Sequence, residues 1–129
     1  MTGEKSILIV EDDTDLREAL VQVLRDEGYE AAGAVHGLEA LAHLRSRVAK
    51  PCLILLDLTM PVMNGWQFRA EQRQDPRLSG IPVVVLSAGS NLAEQIADLQ
   101  VRDYVQKPIR LPDLLDTIHR YCGLGESPG

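Results

Sequence analysis

The sequence has no apolar run close to the roughly 20 residues that a membrane-spanning helix requires. Its first residues also lack an apolar stretch followed by a small-residue cleavage site. We therefore predict no membrane insertion and no export through a signal peptide, and expect a cytoplasmic protein. Basic residues are few: 13 Lys and Arg against 19 Asp and Glu give a formal net charge of −6. This balance argues against direct binding to nucleic acid or to an anionic membrane, since both attract a surplus of Lys and Arg.

Cysteine is limited to Cys52 and Cys122, which lie far apart in the sequence and match no zinc or redox spacing. Cys52 opens an apolar run, so we expect a small buried hydrophobe there. A disulfide is not expected in a reducing cytosol. Arg69, Arg73 and Arg77 recur every four residues, and a solvated helix face is favoured over a basic binding stripe.

The histidines, His36, His43 and His119, share no ligand spacing and are expected at the surface. Trp66 follows the loop after the third apolar run. We interpret it as a packing residue or part of a partner surface.

The chain has the length of one domain, and short apolar runs alternate along it with segments of helical periodicity. We predict a disordered start over 1–5, a domain over 6–122, and a flexible tail or truncated linker over 123–129. Five strands each followed by a helix predict a parallel α/β sheet covered on both faces. The predicted strands are 6–10, 29–35, 52–56, 81–86 and 102–106.

Helix boundaries can be proposed for two of the periodic segments. Asp13 or Thr14 is a suitable N-cap for the first helix, and Gly28 ends it. The fourth helix is predicted to be short, over about 91–99.

Polar residues follow four of the predicted strands: Glu11 and Asp12 the first, Asp57 the third, Ser87 the fourth and Lys107 the fifth. Ligands of such sheets bind at the carboxyl ends of the strands. Crowded carboxylates repel one another, and Mg²⁺ relieves the repulsion while accepting a phosphate oxygen. A lysine adds a point charge and a serine a hydrogen bond. The set therefore predicts a phosphoryl and Mg²⁺ site with Asp57 as nucleophile.

Each of these residues has a simpler interpretation when it is taken alone. An acidic residue at a strand-to-helix turn often serves only as an N-cap, which is the interpretation we favour for Asp13. A lone Asp after a strand is usually a turn residue. A single Ser or Lys carries little information, so the prediction depends on the joint placement.

Four segments carry a resemblance to a known family: ILIVEDD over 7–13, LLDLTMPVMNG over 55–65, PVVVLSA over 82–88 and YVQKP over 104–108. The chain resembles the receiver domains of two-component response regulators, which share the flavodoxin-like fold of the chemotaxis response regulator. The similarity extends over residues 6–121. It implies a five-stranded, doubly wound sheet with strand order 2-1-3-4-5.

The resemblance also implies roles at the site. Asp57 would be the phosphoacceptor. Asp12 would bind Mg²⁺ directly, together with Asp57 and the backbone carbonyl of Thr59, while Glu11 would act on the metal through water.

A second group of residues would form the phosphoryl contacts and the switch. By the resemblance, Ser87 and Lys107 would contact the phosphoryl group, and Tyr104 would be the rotameric partner of Ser87. Pro108 would follow a cis peptide bond.

The implied function is a phosphorylation-activated signalling switch that receives its phosphoryl group from a histidine kinase or a histidine phosphotransfer protein. Phosphorylation would alter the face formed by the fourth helix, fifth strand and fifth helix. A downstream protein, or an output domain absent from this chain, would recognise the change. Such a domain is not an enzyme beyond its own phosphotransfer and autodephosphorylation. A weak homodimer through the same face is an open alternative.

Two other functions stay open. One is a receiver-fold interaction domain that works without phosphorylation. The other is a phosphohydrolase with an aspartyl nucleophile, although such enzymes need a second Asp where Thr59 stands. The stretch 99–103 also departs from the family, which often has Gly-Ala there, so the output face is the least certain part of the resemblance.

Overall fold

The structure is a computed structural model that describes residues 5–89, 92–101 and 103–123. Most of the predicted disordered start and flexible tail, 1–4 and 124–129, lies outside the described residues. The proposed domain limits therefore stay a prediction.

The five apolar runs form five strands, and every strand pairing is parallel. The strand order is β2-β1-β3-β4-β5, which confirms the predicted doubly wound sheet. All residues of β3 and β4 are buried, as expected for strands covered on both faces, whose sequences are continuous apolar runs. The strands are Ser6–Val10 (β1), Glu30–Ala34 (β2), Leu53–Asp57 (β3), Val83–Ser87 (β4) and Asp103–Gln106 (β5).

A helix follows each strand. The first begins where the Asp13 side chain accepts a hydrogen bond from the Leu16 amide at 3.1 Å, which confirms Asp13 as its N-cap. It ends just before Gly28, whose φ of 99° only glycine adopts readily. The fourth helix is short, as predicted, and continues into a 3₁₀ turn over Ala97–Leu99. The helices are Thr14–Asp26 (α1), Gly37–Arg45 (α2), Gly65–Gln74 (α3), Leu92–Ile96 (α4) and Leu111–Cys122 (α5).

The main core lies in two layers, one on each face of the sheet. On one face, Leu24 of α1 and Ile118 of α5 pack against β1 and β3. On the other, Leu44 of α2 and Phe68 of α3 pack against the opposite side chains of the same strands. The two layers hold the central strands rigidly and so fix the positions of the residues at their carboxyl ends.

No helix in the described part of the chain is both long enough and apolar enough to cross a bilayer.

Arg69 contradicts the prediction that Arg69, Arg73 and Arg77 form a solvated helix face, and Arg77 lies beyond the end of α3. Arg69 is only 8% exposed, and its guanidinium donates to the carbonyl oxygens of Leu99 and Gln100 and to Oε1 of Gln72, each at 2.8 Å. Gln100 has a φ of 56°, so the chain turns sharply at the end of the 3₁₀ turn. Arg69 supplies hydrogen-bond donors to the two carbonyls at this point.

The two cysteines also contradict the sequence prediction, because Cys52 and Cys122 form a disulfide with their Cα atoms 5.6 Å apart. Cys52 directly precedes β3, and Cys122 is the last residue of α5. Helix α5 starts near the carboxyl edge of the sheet and runs back along it, so its end meets the beginning of the central strand. Sequence separation gave no sign of this proximity. Cys52 is also half-buried rather than fully buried.

The surface prediction for the histidines holds only for His119, which is exposed, while His36 and His43 are half-buried. His36 caps α2, since its Nδ1 accepts a hydrogen bond from the Glu39 amide at 3.2 Å.

Replacing Arg69 with Met is expected to lower the free energy of unfolding by about 2–3 kcal/mol. The substitution keeps an unbranched side chain but leaves two carbonyls and one amide oxygen without their donor. Urea denaturation measures the loss. Arg73→Met is the matched control: Arg73 is exposed one turn further along α3, and its loss should cost no more than about 0.5 kcal/mol. Equal losses in the two variants would show that the Arg69 contacts do not stabilise the fold.

Candidate functional site

Three carboxylates meet at the carboxyl ends of the central strands. Strands β1 and β3 are neighbours, with Val10 beside Leu56, so the residues that follow Val10 lie next to Asp57. One carboxylate oxygen from each of Glu11, Asp12 and Asp57 lies within 4.8 Å of the other two. The structure thus brings together the acidic residues that the strand-end pattern singled out.

Asp57 is the last residue of β3 and is only 4% exposed. Burial raises the pKa of its carboxyl group, and the neighbouring charge of Glu11 raises it further, to about 6. Asp12 adds to this rise, whereas Lys107 and the backbone N–H of Thr59 act in the opposite direction. Asp57 is therefore ionised at neutral pH but more basic than an ordinary aspartate.

Lys107 balances part of the negative charge. Its backbone N–H donates to the carbonyl oxygen of Ser87 at 2.8 Å, which holds the end of β5 against β4. Its Nζ lies 2.8 Å from Oε1 of Glu11 and 3.5 Å from Oδ1 of Asp57. Burial lowers the pKa of Lys107, but the hydrogen bond with Glu11 and the charge of Asp57 raise it more, so the net shift is upward. The cis bond between Lys107 and Pro108 is confirmed.

Glu11 is more tightly bound than the sequence indicated. It is only 1% exposed, and its Oε2 accepts a hydrogen bond from the Asp13 amide at 3.1 Å. Nη1 of Arg17 donates to the Glu11 carbonyl oxygen at 2.8 Å. The sequence-based prediction missed the roles of Asp13 and Arg17 in holding Glu11. The position of Arg17, one turn beyond the N-cap of a helix that starts at the site, was the available signal.

Gly65 lets α3 approach the end of β3. A Cβ at this position would lie 2.7 Å from Cα of Leu58 and 2.8 Å from the carbonyl oxygen of Asp57, both closer than real contacts allow. The Gly65 amide donates to the Leu58 carbonyl oxygen at 2.9 Å. Asn64 caps the helix through a reciprocal pair of hydrogen bonds with Gln67. The loop after Asp57 is thereby tightly closed.

Ser87 and Tyr104, the predicted switch pair, stand on adjacent strands in different surroundings. Ser87 is 6% exposed, and its Oγ donates to the Ala88 carbonyl oxygen at 3.3 Å, a long hydrogen bond. Tyr104 is 42% exposed. Gln106 was not singled out in the sequence, yet its Nε2 donates to the Gly89 carbonyl oxygen at 2.8 Å and so ties β5 to the loop after Ser87.

The donor set fits a magnesium ion. Glu11, Asp12 and Asp57 offer hard oxygen ligands, and Asp12 is exposed so that an ion can reach it. Three carboxylates against the one ammonium of Lys107 leave an excess of two negative charges when all are ionised, and a divalent cation would neutralise that excess. The predicted role of the Thr59 carbonyl in binding the metal stays a prediction.

The family model for the response regulator receiver domain matches residues 7–119. The chain belongs to this family. Its members are signalling switches of two-component systems, so the resemblance seen in the sequence is confirmed.

Individual relatives agree with this assignment. The DNA-binding response regulator MtrA of Mycobacterium tuberculosis is 37% identical over 116 residues, which cover 88% of this chain and 49% of MtrA. A response regulator receiver protein from Pseudomonas putida superimposes with a TM-score of 0.83 at 27% identity, covering 93% of this chain and 99% of its own. The chemotaxis protein CheY4 of Vibrio cholerae superimposes with a TM-score of 0.80 at 29% identity, covering 90% of this chain and 97% of its own. The chain spans about half the length of MtrA.

Asp57 should make the stability of the metal-free protein depend on pH. Its pKa rises from 3.8 in the unfolded chain to about 6 in the fold, so the native state holds its proton more tightly. The stabilisation that the protonated Asp57 gives the native state is fully present below pH 3.8 and is lost as the pH rises through about 6. At pH 7, Asp57→Asn should therefore be more stable than the wild type, by about 1–2 kcal/mol once solvent screening is allowed for.

Urea unfolding in the presence of a chelator at pH 7 and below pH 4 measures the difference between the two proteins. The gain should shrink towards zero at the lower pH. Asp116→Asn, at an exposed position of α5, is the control and should show no such change. A constant gain for Asp57→Asn at both pH values would contradict the prediction.

Proposed function

We propose that this receiver domain accepts a phosphoryl group on Asp57 from a histidine kinase or a histidine phosphotransfer protein, and that Mg²⁺ supports the transfer. The observation that carries the proposal is the placement of Asp57. It is a buried aspartate at the end of a central strand, with Lys107 Nζ 3.5 Å away and two further carboxylates beside it. The family to which the chain belongs supports the same role.

The chemistry follows from the ionisation of Asp57. With a pKa of about 6, its carboxylate is largely ionised at neutral pH and retains more basicity than an exposed aspartate. An oxygen of Asp57 forms the new bond to phosphorus while the bond from phosphorus to the donor histidine nitrogen breaks. That nitrogen keeps the electron pair. Lys107 provides positive charge beside the oxygens of the transferred group.

Glu11, Asp12 and Asp57 would hold the metal ion. When bound, Mg²⁺ supplies charge neutralisation for the carboxylates and the phosphoryl oxygens. The direct role of Asp12 and Asp57, the water-mediated role of Glu11 and the Thr59 carbonyl ligand belong to this proposal. The buried position of Glu11 and its bonds to Lys107 and Asp13 support an indirect role.

Ser87 and Tyr104 are proposed to convert phosphorylation into a change of surface shape. The phosphorylated side chain carries added charge and new acceptor oxygens. The Ser87 hydroxyl, held now by a long hydrogen bond at 3.3 Å, can turn towards them together with Lys107. Tyr104 then moves from its exposed position into the space that Ser87 leaves. Gln106 opposes this change, because its hydrogen bond to the Gly89 carbonyl oxygen attaches β5 to the loop after Ser87.

The changed surface comprises α4, β5 and α5. MtrA, about twice as long as this chain, is named as a DNA-binding response regulator. In this chain, the net charge of −6 disfavours direct contact with DNA. We propose that the phosphorylation state is recognised by a partner protein or by an output domain. The cytoplasmic location and the weak homodimer remain predictions.

Two observations weigh against the alternative functions. The constitutive interaction domain does not explain why Glu11, Asp12, Asp57 and Lys107 are held together despite the repulsion among the three carboxylates. The phosphohydrolase needs a second acid two residues beyond Asp57, and Thr59 stands there.

Incubation with acetyl phosphate and Mg²⁺ is expected to add one phosphoryl group to the intact protein, as measured by mass spectrometry. Asp57→Asn should gain none, because an amide is not a nucleophile for phosphorus. Asp116→Asn, which changes an exposed aspartate, should behave as the wild type. Phosphorylation of Asp57→Asn would refute Asp57 as acceptor. Failure of the wild type to bind either the phosphoryl group or beryllofluoride would favour the constitutive interaction domain.

Trp66 should report the switch. It is the single tryptophan of the chain, is 40% exposed, and its Nε1 donates to the Gln95 carbonyl oxygen of α4 at 3.4 Å. Beryllofluoride added to the Mg²⁺-loaded protein should change its fluorescence. Ser87→Ala should retain binding, measured by calorimetry, but lose most of the fluorescence change. An equal change in both proteins would argue against the proposed role of Ser87.

A further inference from the structure

The disulfide lies at the end of the molecule opposite the phosphoacceptor. Cys52 directly precedes the first residue of β3, and Asp57 is the last residue of that strand. The bond joins positions 70 residues apart in sequence. It takes no part in the phosphoryl site.

Both sulfur-bearing residues are accessible in part, since Cys52 and Cys122 are half-buried. A buried disulfide is protected from exchange, whereas a partly exposed one can be attacked by a thiolate from solution. The reduced state would also be tolerated by the fold. Sγ of Cys52 lies 3.2 Å from the carbonyl oxygen of Ser6, which would accept a hydrogen bond from the free thiol.

The bond attaches the carboxyl end of α5 to the start of β3. Leu114 and Ile118 are fully buried against the sheet, so the middle of the helix stays in place without the disulfide. The last turn is less deeply buried, because Tyr121 and Cys122 are half-buried; besides the disulfide, the ion pair of Arg120 with Asp103 attaches it to β5. Gly123 ends the helix with a left-handed φ of 66°. Reduction should therefore loosen the last turn and leave the rest of the domain folded.

We propose that Cys52 and Cys122 form a reversible thiol–disulfide couple, which fixes or releases the last turn of α5 according to the redox state of the surrounding thiols. The proposal goes beyond phosphorylation and does not depend on it. Its chemical partner is a low-molecular-weight thiol and the corresponding disulfide.

The exchange balances in two steps. A thiolate from one cysteine attacks a sulfur of the external disulfide and releases one external thiolate, which gives a mixed disulfide. The thiolate of the other cysteine attacks the protein sulfur of that mixed disulfide and releases the second external thiolate. The two cysteines lose two protons and two electrons, and the external disulfide is reduced to two thiols.

The direct test places the folded wild-type protein in buffers that range from reduced to oxidised glutathione, without denaturant. After an acid quench and alkylation with N-ethylmaleimide, intact mass counts the free thiols. Two adducts are expected in reduced glutathione and none in oxidised glutathione, with full return on reversal. Cys122→Ser is the matched control and cannot form the internal bond. Failure of the bond to form, or its resistance to reduction until urea unfolds the protein, would overturn the proposal.

Hydrogen exchange tests what the bond does. At short labelling times, amides of residues 119–123 should exchange in the reduced protein but not in the oxidised one, while those of 53–57 should stay protected in both, because the central strand opens only with global unfolding. The midpoint of thermal unfolding should fall by roughly 10 °C on reduction, because the long loop is no longer closed. Equal exchange of residues 119–123 in the two states would refute the release of the last turn. Neither result depends on whether Asp57 is phosphorylated.

Discussion

The contact of Lys107 with Glu11 and Asp57 is the interaction on which the site depends. The lysine comes from the end of β5, Asp57 from β3, and Glu11 follows β1. The parallel sheet, with β3 and β4 between β1 and β5, brings these groups to one edge. Without the ammonium, the three carboxylates would repel one another in a partly desolvated place. The strand order is thus linked to the charge balance at the strand ends.

The rest of the domain compensates for this crowded polar edge. Every residue of β3 and β4 is buried, and the apolar layers on the two faces supply the stability that the acidic cluster lowers. The small volume at Gly65 keeps the loop after Asp57 close to the strand end. Functional sites often violate the rules of local stability, and the surrounding structure then has to hold them in place.

The strands and the acidic residues could be predicted from the sequence because both depend on local patterns. A continuous apolar run identifies a buried strand, and a polar residue directly after it must lie at the sheet edge. Arg69 and the cysteine pair depend on distant partners. The burial of Arg69 requires two carbonyls that are 30 and 31 residues away, and the proximity of Cys52 to Cys122 depends on the path of α5. The spacing of the arginines does not indicate the burial of Arg69, and the spacing of the cysteines does not indicate that they are close together.

The capping role of His36 was missed for another reason. Imidazole is an uncommon N-cap, and the local sequence offered no ordinary capping side chain to compare with it. The Asp13 cap, by contrast, followed the usual preference and was predicted.

The bond between Cys52 and Cys122 closes a ring of backbone that contains one part of the site and leaves out the other. Asp57, Ser87 and Lys107 lie within the ring, whereas Glu11 and Asp12 lie on the open segment before it. The site is therefore complete only when a linear piece of chain docks onto a covalently closed one. A single backbone cut inside the ring would leave both fragments attached to each other. A cut between Asp12 and Cys52 would leave the acidic pair attached to the ring by non-covalent contacts alone.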